Sequence, residues 1–301
     1  MPGEFTTFVH DKMGYYLRAY LEILEAQKVE KSGWEHVFYI KFWGIAPSLA
    51  FPLMLAPLIS TDSPEVRRQK INEVARYIET FVVCRFINFK NNGASSIRYT
   101  IYTLVKELRG KDIDSLQTVL QGKLDQMDES WDGLAEFRMH SQNRWFVKFL
   151  LSRITGYIEQ QSGASTSFTT YYASPGTKPF EVEHIWADKF AEHQNEFNHQ
   201  NDFANYRNRI GGLVLLPKGT NQSYGDMPYT HKLEHYIKEN LWVKSLHPKA
   251  YQNNPNFLAM AQALAVKFKA HKSFTKADID ERQALLQSIC EVIWGRSNKS
   301  N

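Results

Sequence analysis

Cysteine is nearly absent from this chain. Only Cys84 and Cys290 occur among its 301 residues, both in apolar helical contexts. This excludes a disulfide framework and a Cys-rich zinc site, and predicts two buried free thiols. Such usage fits a reducing cytoplasm, where we expect the protein to reside. A long hydrophobic run is also missing. The best candidate, Ile45 to Ile59, is only 15 residues long and carries Pro47, Pro52 and Pro57. It is too short and too interrupted to span a bilayer, so a buried, kinked helical segment is expected and no membrane partner. The N-terminus lacks the basic region and apolar core of a signal peptide. No G-x-x-x-x-G-K-[ST] phosphate loop, internal repeat or heptad array is found. Strong charge of one sign is lacking too: a net +4 permits nucleic-acid binding but does not argue for it, because a local patch matters more than the total.

The chain does have ample apolar residues. At 43% hydrophobic it can bury a substantial core, divided between two domains or a domain and a helical body. Apolar positions recur at helical spacing in Leu17, Tyr20, Leu21 and Leu24, in Ile71, Val74, Ala75, Ile78 and Val82, and in Val147, Leu150, Leu151, Ile154 and Ile158. Asp62-Ser63-Pro64-Glu65 reads as a helix start and Lys90-Asn91-Asn92-Gly93 as a stop. Trp34, Trp43, Trp131 and Trp145 are read as core residues in preference to base-stacking ones. Between about residues 160 and 178 the composition turns to Ser, Thr, Gly and Pro. The domain boundary is placed there, giving residues 1–163 and 164–301. Two further helical patterns, Pro255 to Lys269 and Lys276 to Trp294, close the chain.

Chemistry concentrates in two runs. Glu181-Val182-Glu183-His184-Ile185-Trp186 puts a carboxylate beside an imidazole in a strand-like context. Arg209-Ile210-Gly211-Gly212-Leu213-Val214-Leu215-Leu216 leads through Pro217 to Asn221, an amide just beyond a second strand-like segment. Hydrolysing a phosphodiester near pH 7 needs an activated water, and His is the side chain whose free pKa suits that proton transfer. His184 is therefore the expected general base. Developing negative charge is best met by a hard divalent cation on oxygen ligands, for which Glu183 and Asn221 are the candidates. Successive strand side chains point to opposite faces, so Glu183 and His184 converge only at a strand end or bulge. Gly211-Gly212 fits either a bulge or a close backbone approach.

Glu183-His184-Ile185, the Arg-Ile-Gly-Gly-Leu-Val-Leu-Leu run, Asn221, Lys232 and Tyr236 together resemble the C-terminal nuclease domain of GmrSD-type modification-dependent restriction enzymes. The likeness covers roughly residues 180 to 260, with a weaker helical likeness over residues 1 to 160. It implies a mostly α (α+β) protein: an N-terminal helical domain, then a ββα-metal (HNH) nuclease core with additional C-terminal helices. It also implies a Mg²⁺- or Mn²⁺-dependent DNA endonuclease used against foreign DNA, with double-stranded DNA favoured as partner. In such proteins an N-terminal nucleotide-dependent sensing domain usually precedes this half, and no counterpart is found in this chain, which reads as an effector half. Ala187 stands where many relatives have Pro, and Gly212 where many have a loop-bracing Asn. Asn198, Asn205 and Asn208 are the candidates to replace that amide.

Arg207 and Arg209 flank the second strand and are candidate phosphate contacts through their forked guanidinium groups. Lys232 matches a family position and is a third candidate for nucleic-acid binding. His231 and His235, four apart on a helix expected over Tyr229 to Glu239, would share a face. No third ligand accompanies them, so a solvated face is preferred to a zinc site. Two other functions stay open: a nucleic-acid-binding or regulatory module with a decayed nuclease site, and a ribonuclease of the same fold.

Overall fold

The computed structural model describes residues 6, 8–173 and 179–295, with the side chains of residues 8, 10, 11, 221 and 222 left aside. The protein is mostly helical, and it divides into two compact units, residues 1–130 with 294–301, and residues 131–293. The composition shift at residues 160–178 suggests a boundary at 163/164. The units part at 130/131 because helix Arg144–Gln161 packs against the strands that follow it.

The first unit is built from α1 (Gly14–Ala26), α2 (Glu35–Ile40), α3 (Pro47–Leu55), α4 (Pro64–Ile87), α5 (Ala94–Leu108) and α6 (Ile113–Asp125). The expected start at Asp62-Ser63-Pro64 is realised. Ser63 caps α4 by accepting from the Val66 N–H at 3.2 Å, and Pro64 occupies the first turn, where its missing N–H costs nothing. The Ile71, Val74, Ala75, Ile78 and Val82 stripe is fully buried. Charged groups in this core are paired, as burial demands. The Lys70 ammonium lies 2.9 Å from Asp62, and Glu79 meets His36 Nδ1 at 2.6 Å. The Pro-interrupted apolar run forms α3, with Pro52 inside it. Among the described residues no helix is long and apolar enough to cross a membrane.

The second unit carries α7 (Arg144–Gln161), α8 (Phe168–Tyr172), β1 (Phe180–His184), α9 (Gln200–Arg207), β2 (Leu213–Pro217), α10 (Lys218–Tyr224), α11 (Tyr229–Tyr236), α12 (Leu241–Lys244), α13 (Pro255–Ala263) and all but the last residue of α14 (Lys276–Trp294). β1 and β2 pair antiparallel, Phe180 opposite Pro217 and His184 opposite Leu213. Leu213 to Leu216 are all buried, because α7 and α12 pack on β2 while α10 lies against both strands. Gly156 of α7 is required by close packing, since a Cβ there would come within 2.8 Å of the Phe168 backbone nitrogen on α8.

Gly211 and Gly212 form a 3₁₀ turn in place of a bulge. A Cβ on Gly211 would sit 2.3 Å from the Ile279 carbonyl oxygen, so α14 presses backbone to backbone on the turn that launches β2. Two α14 side chains secure the contact. Gln283 accepts from the Gly211 N–H at 2.6 Å and donates to the Phe137 carbonyl at 2.9 Å, while Arg282 Nε donates to the Gly211 carbonyl at 3.1 Å. Cys84 and Cys290 are buried and neither is in a disulfide, as their contexts predicted.

Candidate active site

Glu183 and His184 are the last two residues of β1, and the alternation of a strand sends them to different partners. Glu183 is 7% exposed, and its Oε1 accepts from Lys232 Nζ of α11 at 2.6 Å. The same ammonium donates to the main-chain carbonyl of His184 at 2.9 Å. Lys232 is thus neither a solvated helix lysine nor a group turned outward to phosphate. It has no exposed surface, and it ties the carboxylate to the end of the strand that carries the imidazole. Burial raises the Glu183 pKa above the usual carboxylate range and lowers that of Lys232, while their mutual attraction opposes both shifts.

His184 turns toward the residue that follows α9. Its Nε2 lies 2.9 Å from Asn208 Oδ1, and Asn208 Nδ2 donates to the Ala204 carbonyl at 2.8 Å. The second bond orients the amide. With Nδ2 spent on a carbonyl, the oxygen must face the ring, so Nε2 carries the proton and Nδ1 holds the basic lone pair. Of the three asparagines that could have braced this loop, the fold selects Asn208. Burial lowers the His184 pKa to about 4, aided by the positive charges of Arg207, Lys232 and Arg144 and opposed by the Asn208 hydrogen bond. The ring is therefore neutral at pH 7, the state a general base requires.

The loop after β1 is locked locally. Ile185 N–H donates to the Gly212 carbonyl at 2.9 Å, and the buried Trp186 donates from Nε1 to the Phe274 carbonyl at 2.7 Å. Trp186 also stacks on Phe203 of α9. These contacts hold a loop that has Ala187 and no proline. Arg207 donates from Nε to the Trp186 carbonyl at 3.0 Å and acts electrostatically on both Glu183 and His184. Arg209 points elsewhere: it pairs with Glu136 at 2.6 Å and Asp280 at 3.0 Å and lies over the Tyr206 ring. Arg144, in the first turn of α7, is exposed and close enough to depress the His184 pKa. Sequence reasoning passed over it because nothing in Asn143-Arg144 marks it; only the packing of α7 on the sheet brings it near.

Asn221 sits on α10, which lies against both strands, but its side chain is outside the described residues. His231 and His235 are both exposed, as a solvated helix face requires, and three histidines make local contacts. His235 stacks on Tyr224, His193 lies against Trp186, and His199 caps α9. Among the described residues, one trio has spacing that could hold a cation: His271, Asp278 and Glu281, whose ligand atoms fall within 4.8 Å of one another. Its members are engaged. His271 Nδ1 bonds Asp278 at 2.8 Å, the other Asp278 oxygen caps α14 through Thr275, and Glu281 pairs with Lys269 at 2.8 Å.

No curated protein and no solved structure matches this chain. One family model does, described as GmrSD restriction endonucleases, C-terminal domain, over residues 105–289. That span includes the paired strands, the His184–Asn208 and Glu183–Lys232 contacts and the turn gripped by α14. It takes in more than half of the sequence, and the chain accordingly belongs to the family of GmrSD restriction endonuclease C-terminal domains.

Proposed function

We propose that this protein is a metal-dependent DNA endonuclease of the HNH type, the effector half of a modification-dependent restriction or anti-phage defence system. In this reading β1, β2 and α10 form its ββα-metal core. The observation that carries it is the orientation of His184: neutral at pH 7, held in one tautomer by Asn208, at the end of a strand beside a buried carboxylate. A histidine with only a packing role has no need of an amide that is itself fixed by a backbone carbonyl.

The donor set suits a hard cation. Glu183 offers a carboxylate whose one oxygen is held by Lys232, and Asn221 lies on the helix packed against both strands. These two residues would hold Mg²⁺ or Mn²⁺, which when bound would offset the charge developing on the phosphate and its leaving oxygen. The chain's own residues do the rest. His184 Nδ1 accepts the proton of the attacking water while Asn208 keeps the ring from rotating. Lys232 holds the Glu183 carboxylate in place. Arg144 and Arg207 bring positive charge to the phosphate, whereas Arg209, already paired with two carboxylates, contributes to the wall beside the site. A bound phosphate would also counter these cations and raise the His184 pKa from about 4 toward the working pH, improving the base at the moment of use.

The test is direct. Purified protein incubated with Mg²⁺ or Mn²⁺ should cut plasmid DNA, lose activity in EDTA and regain it on adding metal back. Cleavage of structured RNA with DNA left intact would move the activity to a ribonuclease. DNA binding without cleavage under any divalent metal would leave a binding module.

A further inference from the structure

A second polar cleft lies beside the candidate active site within the same unit. It has a volume of about 350 Å³ and is lined in part by Arg138, Asp202, Asn205, Tyr206, Arg209 and Lys276. Its connection to His184 runs through two consecutive residues. Asn208 holds the His184 ring, and Arg209 enters the cleft wall. The same stretch of main chain is pinned from outside, because Met139 N–H donates to the Asn208 carbonyl at 2.8 Å and Arg138 bridges Arg209.

The bonding within the cleft separates wall from ligand groups. Arg209 is neutralised by Glu136 and Asp280, and its guanidinium lies 4.1 Å from the Tyr206 ring centroid. The Tyr206 hydroxyl donates to the same Asp280. These groups are wall. The Lys276 ammonium meets only rings among the described residues, 4.9 Å from the Tyr206 centroid and 5.3 Å from that of Phe197, while its main-chain N–H donates to Oε1 of Glu196, another residue of the cleft, at 2.8 Å. The side chains of Arg138, Asn205 and Asp202 likewise have no hydrogen-bond or ion-pair partner among the described residues. Two cations without an ion-pair partner, Arg138 and Lys276, therefore share the cleft with the unused amide of Asn205, the unused carboxylate of Asp202 and the carboxylate of Glu196, which is held by the Lys276 main chain and His193. Cations alone would suit any anion. The added amide and carboxylate suit a ligand with an anionic group and a hydrogen-bonding edge, as a nucleotide has.

We propose that this cleft binds one nucleotide of the substrate strand, outside the phosphate that is cut. Arg138 and Lys276 take its phosphate, and Asn205 and Asp202 meet the edge of its base. The proposal rests on the nuclease reading for the identity of the strand, and it adds a subsite through which bases near the cut influence cleavage. A base held there must leave the duplex stack, so unstacked or mismatched positions should be preferred.

The experiment measures binding apart from chemistry. Affinity of the full chain for a fluorescein-labelled 20-mer DNA is followed by anisotropy in EDTA across a range of salt concentrations. The Arg138→Ala/Lys276→Ala double variant should bind about tenfold more weakly, with a salt slope shallower by about one to two. Its cleavage rate at saturating DNA should stay within about threefold of wild type, as expected of uniform binding lost. The Asp202→Ala/Asn205→Ala variant should keep its salt slope but change the relative kcat/KM among oligonucleotides differing in single bases near the cut. Folding of each variant is checked by thermal melting. Wild-type affinity and slope in a folded Arg138→Ala/Lys276→Ala protein overturn the subsite while leaving the nuclease reading intact. A wild-type protein that binds DNA in EDTA and cuts none with metal sinks the nuclease reading without touching the cleft, whose effect on affinity is read separately.

Discussion

Asn208 presents its amide oxygen to Nε2 of His184 at 2.9 Å, and its own nitrogen is tied to the carbonyl of Ala204. One hydrogen bond thus decides which nitrogen of the imidazole keeps its free lone pair. His184→Ala should lower plasmid cleavage by about two to three orders of magnitude with little change in DNA affinity. Asn208→Ala frees the ring and should cost roughly tenfold in kcat at nearly constant KM, the signature of a positioning residue. Single-turnover cleavage with parallel binding measurements checks both, and a His184→Ala enzyme within a few-fold of wild type removes His184 as the base.

The depressed pKa of His184 makes a second prediction with a definite sign. The folded protein holds the ring at about 4, against 6.5 for the free side chain, so the unfolded chain binds the extra proton between those values. His184's contribution to stability is intact above pH 6.5 and is lost as pH falls from 6.5 toward 4, by on the order of 3 kcal/mol. Urea unfolding of wild type and His184→Asn at several pH values should show a shallower pH dependence in the variant over that window. In kcat/KM the acid limb, which reports the free enzyme, should lie below 6.5. Asn208→Asp, placing a carboxylate on the ring, should move that limb upward.

Glu183 and Lys232 form a buried pair whose partners are unequal to lose. Lys232→Ala leaves a carboxylate 7% exposed without its cation and should destabilise the protein by about 3–5 kcal/mol. Adding Glu183→Gln removes the stranded charge and should recover much of the loss in a urea melt, while activity stays absent because the metal-ligand candidate is gone. Equal destabilisation in the single and double variants would contradict a coupled pair.

Asn221 is tested through metal dependence. Asn221→Ala should raise the Mn²⁺ concentration needed for half-maximal cleavage, whereas Asn221→Asp keeps an oxygen and should retain measurable activity. A residue that only supports the fold of α10 would lower the melting temperature in both variants without shifting the metal requirement. Titrating Mn²⁺ against cleavage, with thermal melts alongside, separates the two roles.

The sequence by itself determined what depends on local periodicity and residue chemistry. The stripes of α4 and α7, the Ser63-Pro64 start, the proline-containing helix Pro47–Leu55, the two buried thiols and the two strands follow from local sequence, whereas Leu17, Tyr20 and Leu21 of α1 and Trp145, all expected in the core, are exposed. The Glu-His pair and the downstream run were enough to point to the family. Tertiary structure decided what depends on partners distant in the chain. It alone chose Asn208 over Asn198 and Asn205, because only the exit of α9 delivers an amide to the His184 ring. It buried Lys232 against a carboxylate 49 positions away, where an isolated helix pattern reads a lysine as solvated. It turned Arg209 from a phosphate candidate into a partner of Glu136 and Asp280, and brought Arg144 toward His184. Gly211 makes the same point in backbone terms. Periodicity signals that a side chain is unwelcome there, but the carbonyl of Ile279 that excludes it lies on a helix nearly seventy residues later. Side-chain pairing and close packing are set by three-dimensional neighbours, and linear spacing carries no record of them.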